Sequence, residues 1–343
     1  MSLEKEIDSL VKYYYEKDYF PSAVIKIFDE KNVLYEKSIG DANIDTMFDV
    51  ASLTKIVTST IILNLINEEK LYLDSTIGDI FESFAAYEKL KKIRSVTIEQ
   101  LLTHRSGLID WYPFYSEKGS FVEVLNIVVG KYDKVEGTLY SDINFMILGE
   151  VIKEITKMDL EDALKNYIKI PLKIENICYK PRRKTNIAPS SMGNIIEEKM
   201  CLDRNINFDG WRSNKKELIG EVNDGNSHYF FGGVAGHAGI FADVNSYSEI
   251  GKAYLTTQDE LLIKSMDDYG EGRGLGWQLS DVYPEGCGHS GFTGTSIWIS
   301  RRNHIAAVIF TNRLMGDWRN TNLNQFRRDM HNCVLRNLRR ANQ

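Results

Sequence analysis

The stretch that most restricts how this chain can fold is FDVASLTKIVTSTIILNLINEEK, Phe48 to Lys70. Leu53, Ile56, Val57, Ile61, Ile62, Leu63, Leu65 and Ile66 cover nearly every face of a helical wheel. A helix apolar all round has no side to turn to water, so it is buried rather than laid on a surface. The pattern predicts this helix from Ser52 to about Glu69. Two polar residues open it, Ser52 and Lys55, and at i and i+3 they share one face.

The flanking pattern places the buried helix in a mixed architecture. SAVIKIFDEKNVLYEKSIG, residues 22–40, alternates Ala23, Ile25 and Ile27 with Val24, Lys26 and Phe28, turns at DEKN and resumes, which predicts a β-hairpin. Strands return late, in GLGWQLSDVY, GFTGTSIWIS and HIAAVIFTN, at the spacing of an antiparallel sheet. Between them the signals are mainly helical. Thr97 caps a short helix in TIEQLLTHRSGL, and NFMILGEVIKEIT has apolar residues at helical spacing. KPRRKTNIAPSSMGN reads as a polar excursion over the surface, GGVAGHAGIF as tightly turned backbone, and VNSYSEIGKAYLTT as one helix. Amphipathic helices are expected at the start, with Leu3, Ile7, Leu10, Val11 and Tyr14 on one side, and at about 323–338. The expected division is a sheet domain of residues 1–75 and 225–343 with a helical domain of 76–224 inserted, and a site at their interface.

Charge and cysteine usage exclude several function classes. With 42 basic against 48 acidic residues the net charge is −6, which argues against nucleic acid as the main partner, since neutralising phosphates needs a basic face. Arg327, Arg328, Arg336, Arg339 and Arg340 read as a solvated helix face. Cys178, Cys201, Cys287 and Cys333 show no metal-ligand spacing and read as buried free thiols. No apolar run is long enough to span a bilayer, and the N-terminus lacks the apolar core of a secretory signal. As given, the chain reads as cytoplasmic; a leader removed from it would make it extracytoplasmic.

A serine hydroxyl is a poor nucleophile until a base takes its proton, and burial lowers a lysine pKa, so Ser52 and Lys55 together supply a nucleophile and its base. The same pair also fits an N-cap serine with a snorkelling lysine. In LYSDINFMILGE, Tyr140 can shuttle a proton if a cation such as Lys55 lowers its pKa; equally, Ser141 or Asp142 can cap a helix with Tyr140 in the core. In GCGHSGFTGTSIWIS, His289-Ser290-Gly291 opens a strand against which a substrate backbone can lie, or is a glycine-rich hairpin end. His104 and His237 read as structural. Asp224, His228 and His237 fit no known ligand spacing, so neither a metal nor a cofactor is expected.

Ser-x-x-Lys at 52–55, Tyr-Ser-Asp at 140–142 and His-Ser-Gly at 289–291 resemble, in order and spacing, the serine β-lactamase and penicillin-binding protein superfamily. The likeness is greatest to its class C β-lactamase-like branch, which also holds esterases and D,D-peptidases. LLTHRSGL is similar to that branch's Leu-Leu-x-His-x-Ser-Gly segment, and GGVAGHAGIFADVNSY to its glycine-rich lead into a helix. The resemblance implies an α/β (α+β) β-lactamase/transpeptidase-like fold, with an antiparallel sheet formed by both chain ends and flanked by helices. It implies Ser52 as acylated nucleophile, Lys55 as general base, Tyr140 as proton-transfer partner, and an oxyanion hole from the N–H groups of Ser52 and Phe292. Asp142 stands where the family usually has Asn, so it either binds substrate amide less well or pairs with Lys55 and keeps it charged. His289, with Ser290 and Gly291, stands where penicillin-binding proteins have Lys, and as an ordinary histidine would titrate near pH 6.5. The expected activity is acyl transfer to water on a small-molecule or peptide substrate: an ester, a D-Ala-D-Ala peptide or a β-lactam. His289 ranks D,D-peptidase or carboxylesterase-like activity above efficient β-lactamase. The alternative is a non-hydrolytic penicillin or peptidoglycan-peptide sensor that stays acylated.

Overall fold

The computed structural model describes residues 2–317, 319 and 321–341. Its strands are β1 Ala23–Phe28, β2 Val33–Ile39, β3 Phe48–Asp49, β4 Ile177–Tyr179, β5 Ile240–Ala242, β6 Cys287–Ser290, β7 Ser296–Ser300 and β8 Ile305–Thr311. Five of them form an antiparallel sheet in the order β2-β1-β8-β7-β6, so both chain ends build it, as expected. A second sheet runs β3-β5-β4.

The main sheet is covered on both faces. Ala23, Ile25, Ile27, Trp298, Ala307 and Ile309 face the terminal helices Leu3–Glu16 and Leu323–Ala341, where Ile7, Val11, Phe326 and Val334 meet them. Val24, Phe28, Ile297, Val308 and Phe310 face the other way, into the larger core. The period of two in side-chain direction thus feeds two apolar layers rather than one. Helix Val244–Thr256 packs on the second face through Tyr247, Ile250 and Tyr254.

The buried helix forms as predicted but starts later. Ala51–Leu53 is a short 3₁₀ turn, and the α-helix proper is Thr54–Asn67, with every residue from Thr54 to Leu63 buried. Its polar groups find partners inside: Thr58 Oγ1 donates to Gly236 O at 2.6 Å, and Thr60 Oγ1 lies 2.8 Å from Tyr254 Oη. Residues 76–224 supply mostly helices, among them Ile98–Leu102 with its Thr97/Gln100 capping box, and Asp142–Thr156. We propose that they form an inserted unit, which β4 ties back to β5.

Three expectations need correction. GLGWQLSDVY forms only single bridges, Arg273 to Gln278 and Gln278 to Gly288, because its glycines turn the chain while Trp277 goes into the core beside Tyr254. The end of the polar excursion is not surface: Ser190, Ser191 and Asn194 are buried. Arg327 does not belong to a solvated face, for it is buried and donates to Thr295 O at 2.9 Å, while Arg339 and Arg340 are exposed and pair with Glu285 and Glu6. All four cysteines are free. No helix among the described residues is long and apolar enough to cross a membrane.

Candidate active site

Ser52 is presented by a tight turn between β3 and the buried helix. Ala51, just before it, has φ of 47°, a left-handed conformation that costs a non-glycine residue energy and persists only where neighbours hold it. Asp49 does the holding: its carboxylate accepts the Ala51 N–H at 2.9 Å and the Asn223 N–H at 2.7 Å. Burial pushes the Asp49 carboxyl up to about 6, against the pull of those two N–H groups. The helix N-cap is Leu53, with no side-chain cap bond, so Ser52 is not the capping serine.

Lys55 is fully buried, which removes the snorkelling alternative. Its ammonium donates to Ser52 Oγ at 2.9 Å and to His237 O at 3.2 Å, and lies 2.8 Å from Asp142 Oδ1. Burial alone would push its pKa down, as expected from sequence. The charge of Asp142, then Tyr140, outweighs it, and the group is pushed up to about 12. Lys55 is therefore an ammonium in the resting site.

Tyr140 packs its ring 5.0 Å from the Lys55 nitrogen, and its hydroxyl hydrogen-bonds Lys55 and Ser52. Its pKa is raised rather than lowered: burial exceeds the opposing pull of the Lys55 charge, and Asp142 adds to it. Neither Ser141 nor Asp142 caps the helix that follows. Ser141 Oγ donates to Ile109 O at 2.6 Å, and its N–H donates to His104 Nδ1 at 3.0 Å. His104 is thus structural, its ring 4.5 Å from that of Tyr140, and burial with the Arg273 and Lys55 charges holds it well below the usual imidazole range.

His289, Ser290 and Gly291 close a strand instead of opening one, and the strand is the sheet edge. The His289 ring is buried, donates from Nδ1 to Ser290 O at 3.0 Å, and is pushed down to about 3 by burial, then by Lys55 and Arg273. It is neutral across the working pH range, contrary to the expected titration near 6.5. Gly291 is required for a reason other than substrate access. A Cβ there would sit 2.2 Å from Thr295 Oγ1 and 2.5 Å from Val50 O. Thr293 and Thr295 also donate to Asp49 O and Val50 O at 2.7 and 2.9 Å, so this turn is fastened to the one that carries Ser52. The Phe292 N–H makes no hydrogen bond among the described residues, and its ring is 44% exposed at the cavity edge.

Ser52, Tyr140 and Asp142 line a cavity of about 450 Å³. Trp111, Met200, the segment 191–197, Phe292, Leu314, Met315 and Arg319 also line it. His289, Ser290 and Gly291 do not line it. Two carboxylates outside the matched motifs do. Glu197 accepts from Tyr115 Oη at 2.8 Å and the Gly225 N–H at 2.7 Å, and burial, then Asp224, raises its pKa. Asp224 lies 2.8 Å from His237 Nε2, whose charge holds it down against burial. Among the described residues no three His, Cys, Asp or Glu side chains converge as for a metal, so Asp224, His228 and His237 do not form one.

The family model described as Beta-lactamase matches residues 7–331. A protein of Salmonella typhimurium named "Putative D-alanyl-D-alanine carboxypeptidase" is 26% identical, over 86% of this chain and 79% of that one. Two solved structures share the fold. The hydrolase EstCE1, described with promiscuous acyltransferase activity, superposes with a TM-score of 0.70 at 16% identity, over 97% of this chain and 98% of that one. A class C beta lactamase from Rhodobacter sphaeroides superposes with a TM-score of 0.71 at 14% identity, over 96% and 99%.

Proposed function

The chain belongs to the Beta-lactamase family, and on that premise we propose that it is a serine hydrolase working through an acyl-enzyme on Ser52. One observation carries the reading: a buried ammonium, Lys55, sits 2.9 Å from a serine hydroxyl that lines a cavity of substrate size. D,D-peptidase or carboxylesterase-like chemistry is the finer assignment. The named relatives include a "Putative D-alanyl-D-alanine carboxypeptidase" and a hydrolase with promiscuous acyltransferase activity, and neutral His289 offers no fixed charge to the carboxylate of a penicillin.

The resting protonation state dictates the order of events. Lys55 is charged and Tyr140 neutral, so the reactive form has lost one proton from that pair. Ser52 Oγ attacks the carbonyl carbon, the carbonyl electron pair moves to oxygen, and the serine proton passes to the Tyr140 oxygen. Collapse of the adduct expels the alkoxide or amine, which takes that proton back. Water then repeats the sequence on the ester. The Ser52 and Phe292 N–H groups are the donors we assign to the oxyanion. Asp142 is paired with Lys55 through Oδ1, and as a carboxylate it can accept from a substrate amide but not donate to it.

The test is Ser52→Ala, assayed with a p-nitrophenyl ester, a D-Ala-D-Ala peptide and a fluorescent penicillin, with intact mass read alongside. Turnover and a covalent adduct in wild type, and neither in the folded variant, is the expected result. Labelling of the variant at the wild-type rate would sink the mechanism. A stable wild-type adduct without turnover would mark a binder instead of a hydrolase.

A further inference from the structure

Arg273 belongs to none of the motifs, yet its guanidinium carbon lies 5.3 Å from the centroid of the Tyr140 ring. It is half-buried, and its side chain makes no hydrogen bond or ion pair among the described residues. An arginine taken partly out of water without a carboxylate is costly, and it is kept only where its charge has a use. Its place is well determined. The turn that carries it is bonded through Arg273 N to Gly270 O at 3.2 Å and through Arg273 O to Tyr269 N at 2.8 Å. Glu271, on the same turn, accepts the Thr138 N–H at 3.0 Å, two residues before Tyr140. The turn is thereby fastened to the segment that carries the tyrosine.

We propose that Arg273 is a positioning residue that acts through Tyr140, supplying the second cation that stabilises its phenolate when Ser52 is acylated. The inference rests on the reading of Tyr140 as the proton carrier. The groups facing Tyr140 are few. Lys55 comes from the buried helix, Asp142 from the helix after it, His104 from the loop 103–106, His289 from β6 and Tyr283 from the segment before β6. His104 and His289 are held neutral, partly by Arg273 itself, and Asp142 opposes the phenolate. Lys55 and Arg273 are the cations against that ring, and Lys55 is already paired with Asp142. The charge that His289 does not provide from the strand edge comes from this turn. Arg273 is not among the residues lining the cavity, which favours action on the tyrosine over contact with substrate.

The experiment measures Ser52 acylation from pH 5.5 to 10 with a neutral p-nitrophenyl ester and a penicillin. The proteins are wild type, Arg273→Gln, Arg273→Lys, Tyr140→Phe and the Gln/Phe double variant, each checked for an unchanged melting temperature. In Arg273→Gln the alkaline-rising limb should move up by about one pH unit, a roughly tenfold loss at pH 7 for both substrates. Arg273→Lys should restore most of it, and Arg273→Gln should cost nothing further in the Tyr140→Phe background. A Tyr140→Phe loss with an unmoved Arg273→Gln profile overturns the inference alone. Loss confined to the penicillin overturns it too, and makes Arg273 a carboxylate reader. Tyr140→Phe at the wild-type rate overturns the reading of Tyr140 and this inference with it.

Discussion

Asp142 does more to set the chemistry of the site than any single motif residue apart from Ser52. It reverses the sign of the Lys55 shift, since burial alone would make that lysine a neutral base. The Lys55 pKa is raised by folding. Its contribution to stability is therefore fully present below the unfolded value near 10.4 and is lost as pH rises through about 12. Asp142→Asn inverts this. Without the carboxylate, burial depresses the folded Lys55 pKa, and stability is then lost as pH falls. The variant should be less stable than wild type by about 3 kcal/mol at pH 6, the lower end of the cost of breaking a buried pair because Asp142 is one-fifth exposed. The loss should shrink by pH 9, where Lys55 can shed its proton. Removing the anion also eases deprotonation of Tyr140, so the acid limb of ester turnover should shift to lower pH. Urea denaturation at pH 6 and 9, with the ester profile, checks both; an equal stability loss at the two pH values would show that Lys55 does not titrate in the variant.

At the scale of elements, the site depends on how closely the glycine-rich loop passes between two helices. A Cβ on Gly236 would lie 2.3 Å from Phe145 O and 2.8 Å from Gly149 N and Cα, all backbone atoms that cannot swing aside. The same loop gives Gly236 O to Thr58 and His237 O to Lys55. Gly236→Ala should therefore cost about 3 kcal/mol or more and lower ester turnover as well, because pushing the loop out removes a Lys55 acceptor. Gly232→Ala is the comparison: open space surrounds it, so only the strain of its φ of 60° is felt, about 1 kcal/mol, with activity kept. Denaturation midpoints and turnover of the two variants decide it; equal losses would mean that conformation, not close packing, governs the loop. Elements were legible where period alone decides. The hairpin, the two last strands and the buried helix follow from spacing. GLGWQLSDVY, residues 274–283, was read as strand because alternation around Trp277 mimics one, and the glycines that bend it carry no periodic signal.

Across the whole molecule, two of the three motifs that spacing brought out converge on one ammonium, through Ser52, Lys55, Tyr140 and Asp142, while the third stands behind them, its His289 ring centroid 6.0 Å from that of Tyr140 and outside the cavity lining. Their charge states were not legible, because these depend on which groups far apart in sequence are buried together. The same holds for Asp49, Glu197, Asp224 and Arg273, which sit in no motif. Burial of titratable groups has a consequence for the entire fold. His104, His289 and His331 are each at most 3% exposed, and burial holds all three below the usual range, to about 3 for His289 and about 4 for His331. A depressed histidine contributes stability that is present above the unfolded value near 6.5 and is lost as pH falls toward the folded one. Asp49 and Glu197 act in the opposite sense, since their raised values make the folded state bind protons at higher pH than the unfolded one. Stability should therefore peak near pH 6.5–7, decline gently above it through Glu197, fall gently below about 6 and steepen only under about pH 4.5, where the two carboxyls no longer offset the histidines. Each histidine contributes up to about 1.4 kcal/mol per pH unit, so three of them less the two carboxyls remove about 3 kcal/mol of a typical 5–15 kcal/mol between pH 6.5 and about 4.5. His331 lies on the terminal helix away from the cavity, its Nδ1 2.7 Å from Val282 O. His331→Gln should lower the peak stability yet flatten the acid limb by about one proton, with the ester pH profile unchanged. Melting temperature against pH in both proteins measures this, and an acid limb of equal slope in the two would show that His331 is not held neutral by the fold.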